Sequence, residues 1–375
     1  MSASAPTGVI HDIGYKPYTG PRLGRWQIVR ALYVHGLRSV FGLGRGPRAK
    51  IVPFFVLAAM MVPAALNVYE SSVSKGLVLS YAHFAYNMML FAVLFVAAAA
   101  PELVSRDLRH HTLPLYFSRP LRRSDYPVAK LLALFSGLFL VEFLPILVTY
   151  LGQVASATSG HEIWLDSKSA FPALFAALLQ SAVFSVISLL IASTTGRRVI
   201  ATGVIAILFL VTTAISGVLA NVVGRSWQTH TISCVEPTVT PPQKGGGGGG
   251  GGQYFGIGGG QNGPPTAVVS ALCPGVDTNN DNLVNIDGSP DPNRSGYADI
   301  TVQYQTPVYS MVAKAGGLTN PVRLVEGTRI WVFGATDGQI PNPSPIGPVY
   351  AAELAVLVVA ACGGLMLRYR KVSVS

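Results

Sequence analysis

"PELVSRDLRHHTLPLYFSRPLRRSDYPVAK" occupies Pro101–Lys130 and lies between two long apolar runs. It carries Arg106, Arg109, Arg119, Arg122, Arg123 and Lys130. Such a stretch suits nucleic acid, acidic lipid or the cytoplasmic margin of a membrane protein, and the rest of the chain separates these. Half of the 375 residues are hydrophobic and only 12% are charged, against about 25% charged in ordinary soluble domains. A soluble chain of this length needs more charge to cover its surface, so the composition reads as a membrane protein. The formal charge of +10 then fits the excess of Lys and Arg in cytoplasmic loops. No DNA- or RNA-binding pattern accompanies it, and nucleic acid is not an expected partner. Residues 1–50 contain no apolar h-region near Met1, so no cleaved signal peptide is expected.

Outward from the basic stretch, apolar runs long enough to cross roughly 30 Å of hydrocarbon occur at 51–69, 79–100, 131–151, 171–193, 199–221 and 349–367. The basic residues orient them. Segment 1–50 holds eight Lys and Arg, loop 101–130 holds six, and Arg197, Arg198, Arg368, Arg370 and Lys371 bring one side to 19 of the 27. Six crossings place all of these on that side, so both termini and loop 101–130 are expected in the cytoplasm of a multi-pass plasma-membrane protein. The expected fold is all-α and polytopic, with segments 1–50, 51–221, 222–348 and 349–375 as its parts. Within 1–50, Trp26, Val29, Tyr33, Leu37 and Val40 recur at helical spacing, which predicts an amphipathic interface helix in contact with membrane lipid.

Segment 222–348 is expected outside. It is rich in Gly and Pro, and Gly245–Gly252 reads as a disordered tether. "YADITVQYQTPVYSMVAKAG" and "RLVEGTRIWVFGAT" alternate apolar and polar residues, which predicts short β-strands. Asp277, Asn279 and Asp281 take the first, third and fifth positions of what resembles a degenerate dockerin-type calcium loop. A solvent-exposed Asn/Asp turn is the plainer alternative. Cys234 and Cys273 share the oxidising side and are a candidate disulfide.

The loop itself resembles the signature region of permease subunits of the type-2, exporter-like group of ATP-binding-cassette (ABC) transporters. Ser105 and Asp107 match a Ser-x-Glu start, with Asp for Glu, and Thr112 and Leu113 match the following Gly-Thr-Leu step, with His111 for Gly. Ser118, Arg119, Pro120, Leu121 and Arg122 match the Ser-Arg-Pro-Ile core, and Ala129 and Lys130 match the Gly-Lys end. The resemblance implies that the loop docks on a separate ATPase subunit, with Asp107, Thr112, Leu115, Phe117, Ser118, Arg119, Pro120, Leu121 and Arg122 at the contact. It also implies a homodimer or a paired permease subunit, with ATP and magnesium held by the partner, and substrate efflux as the output. The long outer segment departs from the family, which has a short region there.

No Gly-x4-Gly-Lys-Ser/Thr phosphate loop occurs, and no nucleophile accompanies a base and an orienting acid. The chain is therefore expected to be no enzyme and to bind no cofactor of its own apart from the calcium candidate. Glu142 sits in the middle of an apolar run, where a carboxylate is costly unless paired or protonated. It marks either a candidate pathway with His83 and Asn87 or a protonated acid hydrogen-bonded to a neighbouring helix for packing. A secondary transporter or channel, or a membrane-anchored sensor or adhesion protein, are the alternative functions.

Overall fold

The computed structural model describes residues 20, 24–73, 79–109, 116, 121–235, 283–290, 297–334 and 342–371. The chain is mostly helical, because in hydrocarbon a helix satisfies its own backbone polar groups. Helix α1 (Arg25–Val40) precedes α2 (Arg48–Val73), α3 (Tyr81–Asn87), α4 (Met89–Leu103) and α5 (Ser105–Arg109). Helices α6 (Asp125–Ser156), α7 (Gly160–Ala192) and α8 (Arg198–Val218) follow, and one π turn at Leu219–Val223 extends α8. Six segments are long and apolar enough to cross a membrane: Arg48–Val73, Met89–Arg109, Asp125–Ser156, Gly160–Ala192, Arg198–Val223 and Gly347–Arg370. This is the architecture of a multi-pass membrane protein. The expected span 79–100 is divided at Met88, where α3 gives way to α4, and the continuous helical stretch lies further on, at Met89–Arg109. The Asn67 side chain holds the approach to α3 by bonding both the N–H and the carbonyl of Leu79, each at 2.9 Å.

Small residues let the helices approach closely, as packing between membrane helices requires. A Cβ on Gly36 of α1 would lie 2.9 Å from the Ala133 Cβ of α6, and one on Gly137 would lie 2.7 Å from Val40. One on Gly152 would lie 2.5 Å from Val68 of α2. Most of the apolar stripe of α1 thus faces α6. Val29 and Tyr33 pack on the core, and the Tyr33 hydroxyl donates to Ser136 Oγ at 3.0 Å. Trp26 alone on the stripe stands free, 80% exposed.

Helices α6 and α7, of 32 and 33 residues, are each about 50 Å long at 1.5 Å per residue. They overrun the spans 131–151 and 171–193 mainly at their joint. There Ser159 caps α7 by accepting from the Glu162 N–H, and Glu162 reaches back to the Thr158 N–H at 2.8 Å.

Beyond α8, β1 (Arg225–Val235), β2 (Leu283–Pro290) and β3 (Tyr297–Tyr309) form an antiparallel sheet in the order β1–β3–β2, with Arg225 opposite Tyr309. Helices α9 (Met311–Gly316), α10 (Pro321–Phe333) and α11 (Gly347–Lys371) complete the chain. The strand expected at "YADITVQYQTPVY" is β3, but the stretch expected to follow it as strand, "RLVEGTRIWVF", is α10. Local signals explain this. Asn320 Oδ1 accepts from the Val322 N–H at 2.9 Å, Pro321 occupies the first turn, and Gly334 ends the helix at φ 69°. Helix α10 returns into the bundle, packed on α7, α8 and α11, with residues Pro321–Ile330 buried. Arg329, fully buried, is held by Glu326 through its Nε at 2.9 Å.

Candidate functional site

The starts of α2, α6 and α8 and the ends of α5, α7 and α11 converge at one end of the bundle. Arg368 donates to the Ser193 carbonyl, and Arg123 to the Arg370 carbonyl at 2.8 Å. Charge gathers here. Glu102 on α4 pairs with Arg45, ahead of α2, and with Arg198, at the start of α8. Asp125 at the start of α6 accepts from Arg25 Nε of α1 at 2.7 Å and from the Arg122 N–H at 3.0 Å. The Asp125 hydrogen bond pushes the Arg25 guanidinium further above its already high ordinary value.

The two ends of the basic loop meet in a clamp. Ser105 Oγ donates to the Ala192 carbonyl at 2.9 Å, which fixes α5 against the end of α7. Two residues on, the Asp107 carboxylate accepts from the Tyr126 hydroxyl at 2.7 Å and pairs with Lys130 Nζ at 2.9 Å. Lys130 is only 2% exposed. The Tyr126 ring lies between Tyr116 and Tyr369, with centroid separations of 5.5 and 5.1 Å, and so ties the clamp to α11. A burial this deep is tolerated because the charges pair and the phenol fills a further lone pair. A cleft of about 610 Å³ opens beside the clamp, lined by residues including Arg38, Arg45, Glu102, Asp107, Tyr116 and Lys130.

Of the expected loop contacts, Asp107 is thus a structural anchor within the chain, Arg122 is exposed, and Leu121 is partly exposed. Thr112, Leu115, Phe117, Ser118, Arg119 and Pro120 lie outside the described residues, as do Cys273, Asp277, Asn279 and Asp281. Cys234 lies in β1 opposite Ile300. Among the described residues, no group of three or more His, Cys, Asp or Glu is placed to hold a metal ion.

Glu142 is buried at the α6–α7 contact, where Gln180 Nε2 donates to Oε1 at 3.0 Å and Ser181 Oγ to Oε2 at 3.1 Å. These two partners come from α7. Asn87 ends α3 in an exposed position, and the side chain of His83 lies outside the described residues. Gln180 was visible in the sequence as the lone carboxamide of its apolar run. Tyr126 and Asp125, by contrast, gave no sign of their partners.

No protein-family model and no curated protein matches this chain.

Proposed function

We propose that this chain is a permease subunit of an exporter-like ABC transporter, which moves substrate across the plasma membrane when a separate ATPase subunit hydrolyses ATP. The basic end of the bundle is then cytoplasmic, with α1 and both termini, and the β-sheet lies outside. Two copies, or one copy and a related subunit, enclose the pathway. The observation that carries this reading is the clamp at the base of loop 101–130. Asp107, Tyr126 and Lys130 lock the two ends of the loop to each other and, through Tyr369, to the last span. A push on the tip of such a loop moves α5 and α6 together, because neither can yield without breaking the buried Asp107–Lys130 pair, and α11 follows through the Tyr126–Tyr369 ring contact. That is the property a coupling element needs. The motif on the loop supports the same reading through its resemblance to ABC permeases.

Co-expression of the full chain with a candidate ABC ATPase subunit tests this. Phe117→Ala and Arg119→Gln are expected to weaken co-purification about thirtyfold each, the cost of losing a desolvated anchor. Undiminished recovery and undiminished ATP turnover with both variants would overturn the docking. A second reading, an ion-coupled secondary transporter, is favoured only by buried Glu142 with Gln180 and Ser181. It requires transport that continues without ATP and stops in Glu142→Gln.

A further inference from the structure

At the basic end a second cleft, of about 670 Å³, lies between the starts of α2 and α8. Four arginines line it, Arg45, Arg48, Arg109 and Arg198, against the single carboxylate of Glu102. Glu102 engages Arg45 and Arg198, whereas Arg48 and Arg109 are exposed and form no ion pair among the described residues. The cleft also receives the first turns of two long helices, at Arg48 and Arg198, and no side chain caps the second. Helix starts carry partial positive charge, so the helices add to the field of the arginines. The arrangement is built to receive an anion.

Exposed apolar residues of α4 lead from the cleft into the gap between α2 and α8, which forms a groove there. Helix α4 packs against both α2 and α8, which flank it without packing closely on each other. On α4, Leu90, Leu94 and Ala98 precede Glu102 at intervals of four and form a slanting stripe, turning about 40° at each step, along which the helix is least buried. Since Glu102 reaches Arg45 and Arg198, its end of that stripe looks into the gap between α2 and α8. Leu90 and Leu94 are 50% and 42% exposed, although most of α4 is buried. Ile51 and Phe55 on α2, and Val199 and Ile200 on α8, are also exposed and stand within two turns of the charged mouth.

We propose that the cleft is a binding site for the phosphate headgroup of an anionic phospholipid, with an acyl chain laid along the groove over α4. A small free anion would satisfy the arginines but leave the groove uncovered, whereas an amphiphile fills both parts. A second copy of this chain would present the same arginines to these ones, and like charge disfavours it at the mouth. The site does not depend on an ATPase partner, so it stands or falls apart from the permease reading.

Native mass spectrometry of the delipidated full chain in detergent, titrated with phosphatidylglycerol or phosphatidylcholine, tests the site. Phosphatidylglycerol is expected to bind the wild type more tightly. The Arg48→Gln/Arg109→Gln variant loses about thirtyfold in that affinity, from roughly fivefold per arginine near an anionic headgroup. Arg123→Gln, at the same end but outside the cleft, keeps it. Both side chains in the double variant are exposed, so its fold is retained, and an unchanged elution profile checks this. Leu94→Trp, which fills the groove, weakens phosphatidylglycerol while leaving the mouth intact. Equal affinity for the two lipids, or full affinity in the double variant, refutes the proposal. Displacement of the lipid by equimolar inorganic phosphate, together with indifference to Leu94→Trp, refutes it in favour of a free-phosphate site.

Discussion

Replacing Asp107 by Asn keeps the shape of the clamp and removes its negative charge. The Lys130 ammonium then remains 3% exposed at the side chain, with no carboxylate beside it among the described residues. At 2.9 Å, the pair attracts by about 6 kcal/mol with an effective dielectric constant near 20. The cost of desolvating both ions offsets part of this. Breaking a buried pair from one side costs about 3–5 kcal/mol, because the surviving charge is stranded. Lys130→Met is expected to cost less, nearer 2–3 kcal/mol, because Asp107 is 15% exposed and keeps the Tyr126 hydroxyl. The double variant Asp107→Asn/Lys130→Met leaves no stranded charge, so its cost falls short of the sum by about 2 kcal/mol. The assay is the temperature at which the full chain in detergent loses its monodisperse elution peak, with Arg123→Gln as a surface control. The expected order is Asp107→Asn lowest, then Lys130→Met, then the control. If Asp107→Asn matched the control, or if the two single effects simply added, the buried pair would not hold the loop.

Glu142→Leu is expected to destabilise the chain by about 1–3 kcal/mol, because Gln180 and Ser181 lose their acceptor. Glu142→Gln keeps an acceptor and costs less; thermal stability in detergent measures the difference. Gly137→Leu drives a side chain into Val40 and is expected to cost about 1–3 kcal/mol, loosening α1 from α6. Limited proteolysis near Trp26 should then accelerate, and an unchanged cleavage rate would show that α1 is held by other contacts. In a background lacking native cysteines, a cysteine at Arg122 should resist a membrane-impermeant thiol reagent in intact cells and one at Trp227 should react; labelling of both from outside contradicts the six-crossing orientation.

The spans were legible because a run of apolar residues reports burial in lipid directly, whatever its neighbours do. The overrun of α7 was not, because Glu162, Asp166 and Lys168 lower the hydropathy ahead of 171 without breaking the helix. Helix α10 was misread through period two, which in fact extends only over Val325–Thr328, where Glu326 and Thr328 alternate with Val325 and Gly327. The pairing of Asn320 with Pro321 ahead of it, and Gly334 behind it, were the better signals. At the basic end, the arginines and Lys130 read as a margin of positive charge. That sum is correct but hides which charges are spent. Lys130 is consumed by Asp107, and Arg45 and Arg198 by Glu102, whereas Arg48 and Arg109 remain available. Pairing across 23 or more positions depends on how helices are arranged, and composition carries no trace of it.

Helix α10 has 13 residues and so reaches about 20 Å, short of the roughly 30 Å needed to cross. With Arg323, Glu326 and Arg329 on board, it has neither the length nor the oiliness to enter lipid unaided. Its place is a berth walled by α7, α8 and α11, two of which precede it in the chain and one of which follows. Synthesis in order therefore carries the segment past the membrane before its berth has a third wall. The bundle is closed afterwards, from the side opposite the basic end, by a helix that comes back. A chain halted before α11 would lack the third wall of that berth, so the burial of Arg329 is completed only when the last span is in place.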